Sequence, residues 1–324
     1  MKVEKVSTSE VVGHILVHNV MGPEGRKLLK KGRVLQPEDV TTLQALGHEE
    51  IYVAMLAATD IAENEAARRL GALMAGPYLQ PLSATTGRVN LMAETAGVFK
   101  INLDALLAFN DVSGVTLATL PNNSQVEPKK LVGTVKIIPY GLPNSDLERA
   151  ETVIIENAPI VEIRPFLMKQ AILITTGSQG SQQKVIESFS PALRHRLTGY
   201  NVELIEGPFV AEDEVAISTA LRQALASQVD MILIAGETSI MDQDDITPRA
   251  IKAVGGEVIH HGVPVEPGNL LLLAYWGQTP IVGAPGCARS KHYNVVDMVL
   301  PRLATGERLT RRDLIALGHG GYLQ

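Results

Sequence analysis

The second half of the chain alternates short apolar runs with segments whose apolar residues recur at helical spacing. The runs at residues 171–176 and 231–235 are short and bounded by polar residues, which is typical of buried strands. Residues 212–228 place Ile217 and Leu221 on one face of an amphipathic helix. Strands that alternate with such helices predict a mostly parallel sheet with crossover helices. Further strands are predicted at residues 202–205, 257–260, 270–275 and 280–282.

Helix boundaries in this half follow from capping residues and proline. We predict that Ser190-Pro191 opens one helix, because proline is favoured in the first helical turn. Thr247 is predicted to cap the next helix, with Pro248 in its first turn. The last helix is predicted to begin near Asn294.

The first half mixes short helical and strand patterns with many turn signals, which indicates an α+β region without a catalytic motif. Helices are predicted after Pro37 and over residues 62–74, and strands at residues 51–54, 114–120 and 132–138. We place the boundary at Arg164-Pro165. An N-terminal α+β region of residues 1–164 then precedes an α/β domain of residues 165–324.

Composition narrows the class of protein. The formal net charge is −6 and no cluster of Lys or Arg stands out, which disfavours a nucleic-acid binder. The single cysteine, Cys287, excludes an intrachain disulfide and a cysteine-cluster metal site. No apolar run approaches the roughly 20 residues that span a bilayer, and the first ten residues lack a secretory apolar region. We therefore expect a cytoplasmic protein that binds neither nucleic acid nor a membrane.

Three predicted strands run into small, flexible, polar loops. These loops begin with Gly177-Ser178, with Gly236-Glu237 and with Gly283-Ala284. In an open α/β sheet, ligands bind beyond the carboxyl ends of the strands, and glycine-rich turns there expose N–H groups that attract phosphate. Each loop taken alone is equally well a tight turn. Three loops at one sheet edge predict an anion site.

Carboxylates follow the second of these loops. Asp242, Asp244 and Asp245 precede the helix predicted at Thr247, and Asp213 begins the helix before that strand. Carboxylates at a helix N-terminus are stabilised by the helix dipole, so Asp213 and Asp245 are candidate helix caps. The alternative is that they hold Mg²⁺, which needs only one or two carboxylates when phosphate and water complete its shell.

Other chemistry-bearing residues give weaker signals. His260 and His261 are adjacent in a strand and should face opposite sides, so a shared metal is disfavoured. Cys287 has no histidine partner in sequence reach for a nucleophilic pair. Arg289 and Lys291 could neutralise a phosphate or form a solvated surface pair.

Five short motifs in the second half carry a family resemblance. They are Thr176-Gly177-Ser178, Ala235-Gly236-Glu237-Thr238-Ser239, Asp245-Ile246-Thr247-Pro248-Arg249-Ala250, Glu266-Pro267-Gly268-Asn269 and Gly283-Ala284-Pro285-Gly286. Residues 172–306 thereby resemble the molybdopterin-binding domain of molybdopterin adenylyltransferases and molybdopterin molybdenumtransferases. Residues 283–290, together with residues 30–35 and 134–139 of the first half, are similar to a subgroup associated with maturation of molybdenum hydroxylases.

The resemblance implies a three-layer α/β/α domain and a set of site residues. Contacts to the pterin phosphate are implied for Gly177, Ser178, Gly236, Thr238 and Ser239. Asp245 and Asp213 would be catalytic, and Asp242 and Asp245 would hold Mg²⁺. The other implied cofactor contacts are Thr176, Glu237, Asp242, Thr247, Pro267, Gly268, Asn269, Gly283, Pro285, Gly286, Arg289 and Ser290. The sequence departs from the family where the second glycine of Gly-Gly-x-Ser is replaced by Glu237 or displaced, and where Cys287-Ala288 stands for Asn-Pro.

The resemblance implies a protein of molybdenum cofactor biosynthesis or maturation that binds molybdopterin, or its adenylylated or metal-loaded form. It would transfer a nucleotidyl group or insert molybdate with the help of Mg²⁺, or deliver the cofactor to a molybdoenzyme client. Relatives of the domain form dimers or trimers, so a homo-oligomer is expected by analogy. The alternative is a competence-damage-type pyrophosphatase acting on ADP-ribose-like nucleotides.

Overall fold

The computed structural model describes residues 1–323, and in it the chain divides into two compact units. The first comprises residues 1–95 and 99–164, and the second comprises residues 96–98 and 165–324. Each unit has its own buried apolar clusters. Within residues 1–323, none of the helices combines the length and apolar content needed to cross a bilayer.

The first part of the chain, residues 1–164, builds several small sheets, most of them antiparallel, with helices beside them. Its strands are β1 (Lys2–Ser7), β2 (Ile15–Leu16), β3 (Val20–Met21), β4 (Lys27–Leu29), β5 (Glu50–Met55), β6 (Asp60–Ala62), β7 (Leu79–Pro81), β8 (Arg88–Ala93), β9 (Gly97–Ile101), β10 (Val115–Thr119), β11 (Gln125–Val126), β12 (Leu131–Ile137), β13 (Gly141–Pro143) and β14 (Val161–Pro165). Its helices are α1 (Pro37–Ala45), α2 (Glu63–Met74), α3 (Leu103–Asn110) and α4 (Asn144–Glu156). The α+β pattern expected for this region is present.

The second unit is built on one six-stranded sheet. In chain order its elements are β15 (Gln170–Thr176), α5 (Gln182–Thr198), β16 (Glu203–Val210), α6 (Glu214–Ala226), β17 (Met231–Gly236), α7 (Ile246–Ala253), β18 (Glu257–His261), β19 (Leu272–Trp276), β20 (Thr279–Gly283), α8 (Val295–Ala304) and α9 (Arg311–Ile315). The strand order is β16-β15-β17-β20-β19-β18. Strands β16, β15, β17 and β20 are mutually parallel, whereas β19 runs antiparallel to both of its neighbours.

Alternating side chains of the central strands fill two separate cores. On β17, Leu233 packs with residues of α5 and α8, and its neighbours Ile232 and Ile234 pack with residues of α6 and α7. Successive strand residues point to opposite faces, so an unbroken apolar run indicates a strand covered on both sides. The predicted three-layer α/β/α arrangement with a mostly parallel sheet is confirmed.

Helix α5 begins eight residues before the predicted start at Ser190-Pro191. Pro191 lies inside the helix, although it cannot donate a backbone hydrogen bond there. Val185, Phe189 and Leu193 recur every four residues and are buried, so their packing overrides the local preference of proline. The longer helix begins directly after the loop that follows β15.

Two further helix predictions were wrong. Asp245, not Thr247, is the N-cap of α7; its carboxylate accepts a hydrogen bond from the Ile246 N–H at 2.7 Å, and Thr247 is buried inside the helix. Asp is at least as good a cap as Thr, and here it lies two residues nearer the loop. Helix α8 begins at Val295 after the Asn294 cap as predicted, but it is followed by α9 and is not the last helix.

Strand β16 continues five residues beyond its predicted end at Ile205. Gly207 and Pro208 lie inside the strand, where the pairing with β15 shifts between Leu173 and Thr175. Because β16 is an edge strand, the missing N–H of Pro208 is tolerated there. The end of β16 therefore reaches the same sheet edge as the ends of β15 and β17.

Candidate cofactor-binding site

The carboxyl ends of four parallel strands meet at one edge of the second unit's sheet. Thr176 at the end of β15 pairs in register with Gly236 at the end of β17. Ile234 of β17 pairs with Gly283 at the end of β20, and β16 ends nearby at Val210. The glycine-rich loops therefore begin side by side, as ligand-binding loops do in open α/β sheets.

The loops after β15 and β17 are joined by a carboxylate. Glu237 Oε2 accepts hydrogen bonds from the Ser178 N–H at 2.9 Å and from the Ser178 hydroxyl at 2.8 Å. The Ser178 backbone N–H is the main reason why the pKa of Glu237 lies below its ordinary value, with the Ser181 and Ser178 hydroxyls adding to the effect. A Cβ atom on Gly177 would lie 3.1 Å from Glu237 Cβ, so glycine permits this close approach.

A second carboxylate, from a residue that the sequence interpretation missed, lies in the same region. Glu212 follows β16, and its two oxygens accept from the Thr238 N–H at 3.0 Å and from the Thr238 hydroxyl at 2.9 Å. It lines a cavity of about 30 Å³ together with Thr176, Gly236, Thr238, Ser239, Asp245, Thr247 and residues of the surrounding strands and loops. The signal that could have found Glu212 is its place beyond a strand end. The sequence interpretation ended that strand at residue 205 and assigned Glu212 to the helix that follows.

The loop after β20 approaches the β17 loop from the other side. Ser239 Oγ would lie 3.9 Å from a Cβ on Gly286, and the Arg289 guanidinium donates to the carbonyl oxygens of Gly236 at 3.2 Å and Glu237 at 3.4 Å. The same guanidinium lies 4.6 Å from the ring centre of Phe189 on α5, a cation–π distance. Arg289 thus brings positive charge to the carbonyl side of the Glu237 loop.

A buried ion pair fixes the segment that carries Arg289. Arg196 of α5 is nearly inaccessible and donates to Asp297 Oδ1 at 2.8 Å and Oδ2 at 3.0 Å. It also donates to the carbonyl oxygens of Ala288 at 3.4 Å and His292 at 2.9 Å. One guanidinium therefore holds both the segment that follows β20 and the first turn of α8.

Of the aspartates predicted as catalytic or metal ligands, Asp213 and Asp245 are helix N-caps and Asp242 accepts a hydrogen bond within its own loop. Asp213 Oδ1 accepts from the N–H groups of Val215 and Ala216, each at 3.0 Å. Both carboxylate oxygens of Asp245 accept hydrogen bonds from backbone N–H groups. Asp242 Oδ1 accepts from the Asp244 N–H at 2.8 Å. Across residues 1–323, no group of three or more His, Cys, Asp or Glu side chains is placed to hold a metal ion. The Mg²⁺ role assigned to Asp242 and Asp245 needs only one or two carboxylates and stays a prediction.

The remaining predicted residues fall into two places. Gly283 and Pro285 begin the third loop, and Ser290 ends its short 3₁₀ helix, where the Ser290 hydroxyl accepts from the His292 N–H at 3.1 Å. Pro267, Gly268 and Asn269 lie in the connection between β18 and β19. The Val295 N–H donates to the Pro267 carbonyl at 3.4 Å, and the Asn269 amide donates to Glu266 at 3.1 Å. This connection packs on the start of α8 rather than on the Glu237 loop.

Histidine and cysteine side chains at this edge have structural partners. His261 Nε2 lies 2.9 Å from the carbonyl oxygen of Ile240, and burial lowers the pKa of His260. Burial raises the pKa of the Cys287 thiol to about 11. A thiol with that pKa is protonated at neutral pH, so Cys287 is unsuited to be a nucleophile.

A larger cavity, of about 580 Å³, opens at the opposite edge of the sheet. Its aromatic and cationic groups already have partners within the unit: the Trp276 indole donates to the Val254 carbonyl at 3.2 Å, and Arg308 donates to the Gly277 carbonyl at 2.8 Å. Volume alone therefore does not identify the ligand site, and the strand-end loops remain the stronger candidate.

These observations define an α/β protein whose second unit carries loops suited to an anionic ligand. Residues 172–305 match the family model described as "Probable molybdopterin binding domain". Residues 5–55 match a "Domain of unknown function (DUF8806)". No curated protein matches the chain.

Several solved structures are similar to this chain at low identity. A molybdenum cofactor biosynthesis protein from Pyrococcus furiosus shares 14% identity with a TM-score of 0.26 over 97% of this chain, which spans 65% of that protein's length. The molybdopterin biosynthesis moea protein from Pyrococcus horikosii shares 12% identity with a TM-score of 0.34, over 97% of this chain and 75% of that one. A "Putative molybdenum cofactor biosynthesis protein" from Corynebacterium diphtheriae shares 20% identity with a TM-score of 0.33, over 43% of this chain and 96% of that one.

We predict that Asp297→Ala lowers the free energy of unfolding by about 3 kcal/mol or more, because it leaves the Arg196 charge buried and unpaired. Chemical denaturation measures the change. Glu214→Ala is the matched control, since it breaks the half-exposed pair with Arg249 at 3.2 Å and should cost about 1 kcal/mol or less. Equal losses in the two variants would contradict the assigned role of Arg196.

We also predict that Cys287 reacts slowly with iodoacetamide at neutral pH. With a pKa of about 11, only about one thiol in a thousand is ionised at pH 8, roughly two orders of magnitude fewer than for an unperturbed cysteine. Because the chain has one cysteine, mass spectrometry reports this site alone. The rate should still be rising at pH 10, and a plateau below pH 9 would refute the prediction.

Proposed function

We propose that the second unit binds a molybdopterin-type compound through its phosphate, at the strand-end loops that follow β15, β17 and β20. The observation that carries the proposal is the pair of backbone N–H groups of Ser178 and Thr238, each of which already donates to a carboxylate. Donors that hold carboxylate oxygens have the geometry needed to hold phosphate oxygens. They lie within the residues that match the molybdopterin-binding family model.

The role we propose is cofactor binding and delivery to a molybdoenzyme client, within molybdenum cofactor biosynthesis or maturation. Of the predicted catalytic residues, Asp213 accepts from backbone N–H groups with Oδ1, and Asp245 accepts from them with both oxygens. Burial raises the pKa of Cys287 to about 11, so its side chain stays protonated and does not support covalent catalysis at this edge. Binding through main-chain donors needs none of these side chains to react.

The direct test is mass analysis of the pterin that co-purifies with the protein, followed by calorimetric titration with molybdopterin. Gly236→Ala should weaken binding at least tenfold. Its Cβ would lie 2.7 Å from Thr176 Oγ1 and 2.8 Å from the Thr238 carbonyl oxygen, so the loop must shift. Gly22→Ala is the matched control, because it lies in the first unit and the nearest atom to its Cβ, at 3.0 Å, is the end of the flexible Leu28 side chain. Unchanged affinity in Gly236→Ala would remove this loop from the site.

Asp245→Asn separates delivery from Mg²⁺-dependent chemistry. The amide oxygen of Asn can still cap α7, so the variant should lose about 1 kcal/mol or less of stability and should keep wild-type affinity for molybdopterin. Thermal melting and the same titration check both expectations. Nucleotidyl transfer by the wild type with Mg²⁺, abolished in Asp245→Asn, would overturn the delivery role.

A further inference from the structure

Two glutamates from different loops hold the donors that a phosphate would use. Glu237 takes the N–H and hydroxyl of Ser178 with one oxygen, and Glu212 takes the N–H and hydroxyl of Thr238 with its two oxygens. In each case, one carboxylate satisfies both the main-chain and the side-chain donor of a single loop residue. The donor set of the site is therefore occupied by the protein's own anions.

Neither glutamate is buried in an apolar core, so neither needs these hydrogen bonds to offset the loss of water. Glu237 is exposed and Glu212 is half-buried, so water is within reach of both carboxylates. Hydrogen bonds between N–H groups and a charged acceptor are stronger than those between neutral groups, which favours the bound arrangement. The pKa of Glu237, lowered mainly by the Ser178 N–H, agrees with a carboxylate that stays ionised there.

The space beside Glu212 is too small for a phosphorylated pterin. The cavity lined by Glu212, Gly236 and Thr238 has a volume of about 30 Å³. The Thr238 N–H and hydroxyl at its edge both donate to Glu212. A phosphate that takes these two donors therefore requires Glu212 to move.

We propose that Glu212 and Glu237 are displaceable internal anions that determine specificity at this site. The inference rests on the proposed function, since it assigns these residues to the same phosphate-binding loops. A small free phosphate would gain hydrogen bonds only from donors that already bind the carboxylates. It would also be repelled by the two displaced carboxylates. A phosphate attached to a larger organic group can offset this cost through contacts made elsewhere, so the site selects phosphorylated organic ligands over inorganic anions.

In the competing role, the hydrogen bonds of the two glutamates only stabilise the arrangement of the loops. We call this role a structural clamp. The two roles predict different effects on anion affinity when glutamate is replaced by a neutral side chain of the same shape. Glutamine can still accept an N–H bond but lacks the charge, so it is easier for a phosphate to displace and repels it less. A clamp predicts that glutamine weakens the loops without raising affinity for any anion.

The experiment is calorimetric titration of inorganic pyrophosphate into the full-length protein and its variants. Glu237→Gln and Glu212→Gln should each bind pyrophosphate at least tenfold more tightly than the wild type, and the double variant should bind more tightly still. Glu187→Gln is the control. It removes an equal charge from the exposed side of α5, where the Glu187 carboxylate accepts from the Gln183 amide at 2.6 Å, and should match the wild type. Unchanged or weaker binding in both glutamine variants would overturn the proposal.

Amide NMR of the wild type gives a second readout that does not depend on the variants folding. The Ser178 and Thr238 amide signals should shift with molybdopterin but stay in place with pyrophosphate at the same concentration. Equal shifts with both ligands would contradict selection by the glutamates. If the variants gain pyrophosphate affinity but no pterin binds, the proposed function fails alone. If pterin binds and the variants gain nothing, the glutamate proposal fails alone.

Discussion

The parallel pairing of β15 with β17 is the constraint on which the candidate site depends. It brings Thr176 level with Gly236, so two loops that are sixty residues apart in sequence start side by side. Both strands are buried by side chains on their two faces, which leaves the pairing little freedom to slip. A shift of one residue would exchange the two cores and separate Ser178 from Glu237. The precision of the site therefore comes from apolar packing behind it.

Buried strands and amphipathic helices were predictable from the sequence because their signals are local. The apolar run of β17 and the amphipathic spacing of α6 indicated both their type and their place. Proline was a poorer guide where tertiary packing dominates. Pro191 lies within a helix held by buried side chains, and Pro208 lies in an edge strand that continues past it. The free energy of a local conformational preference is small compared with the free energy gained by burying a full helix face.

The candidate site was predictable in position but not in its charge. Glycine-rich strand ends indicated an anion site, yet side-chain contacts such as Glu212 with Thr238 join segments that are 26 residues apart. Periodicity and motif spacing carry no information about such pairs. Asp213, beside Glu212 in sequence, shows the same limit, because capping and ligand binding call for the same residue type. Only the fold decides which of two neighbouring carboxylates faces the loops.

The proline in β16 also affects how the sheet meets other chains. An edge strand presents unpaired main-chain groups, on which an extended segment of another molecule can add itself. Pro208 has no N–H to offer, and the irregular pairing around it twists the strand away from a flat ladder. Growth of the sheet by strand addition is thereby disfavoured on this side, next to the carboxylate-bearing loop. A proline and an irregular register at the sheet edge thus leave β16 a poor template for a further strand.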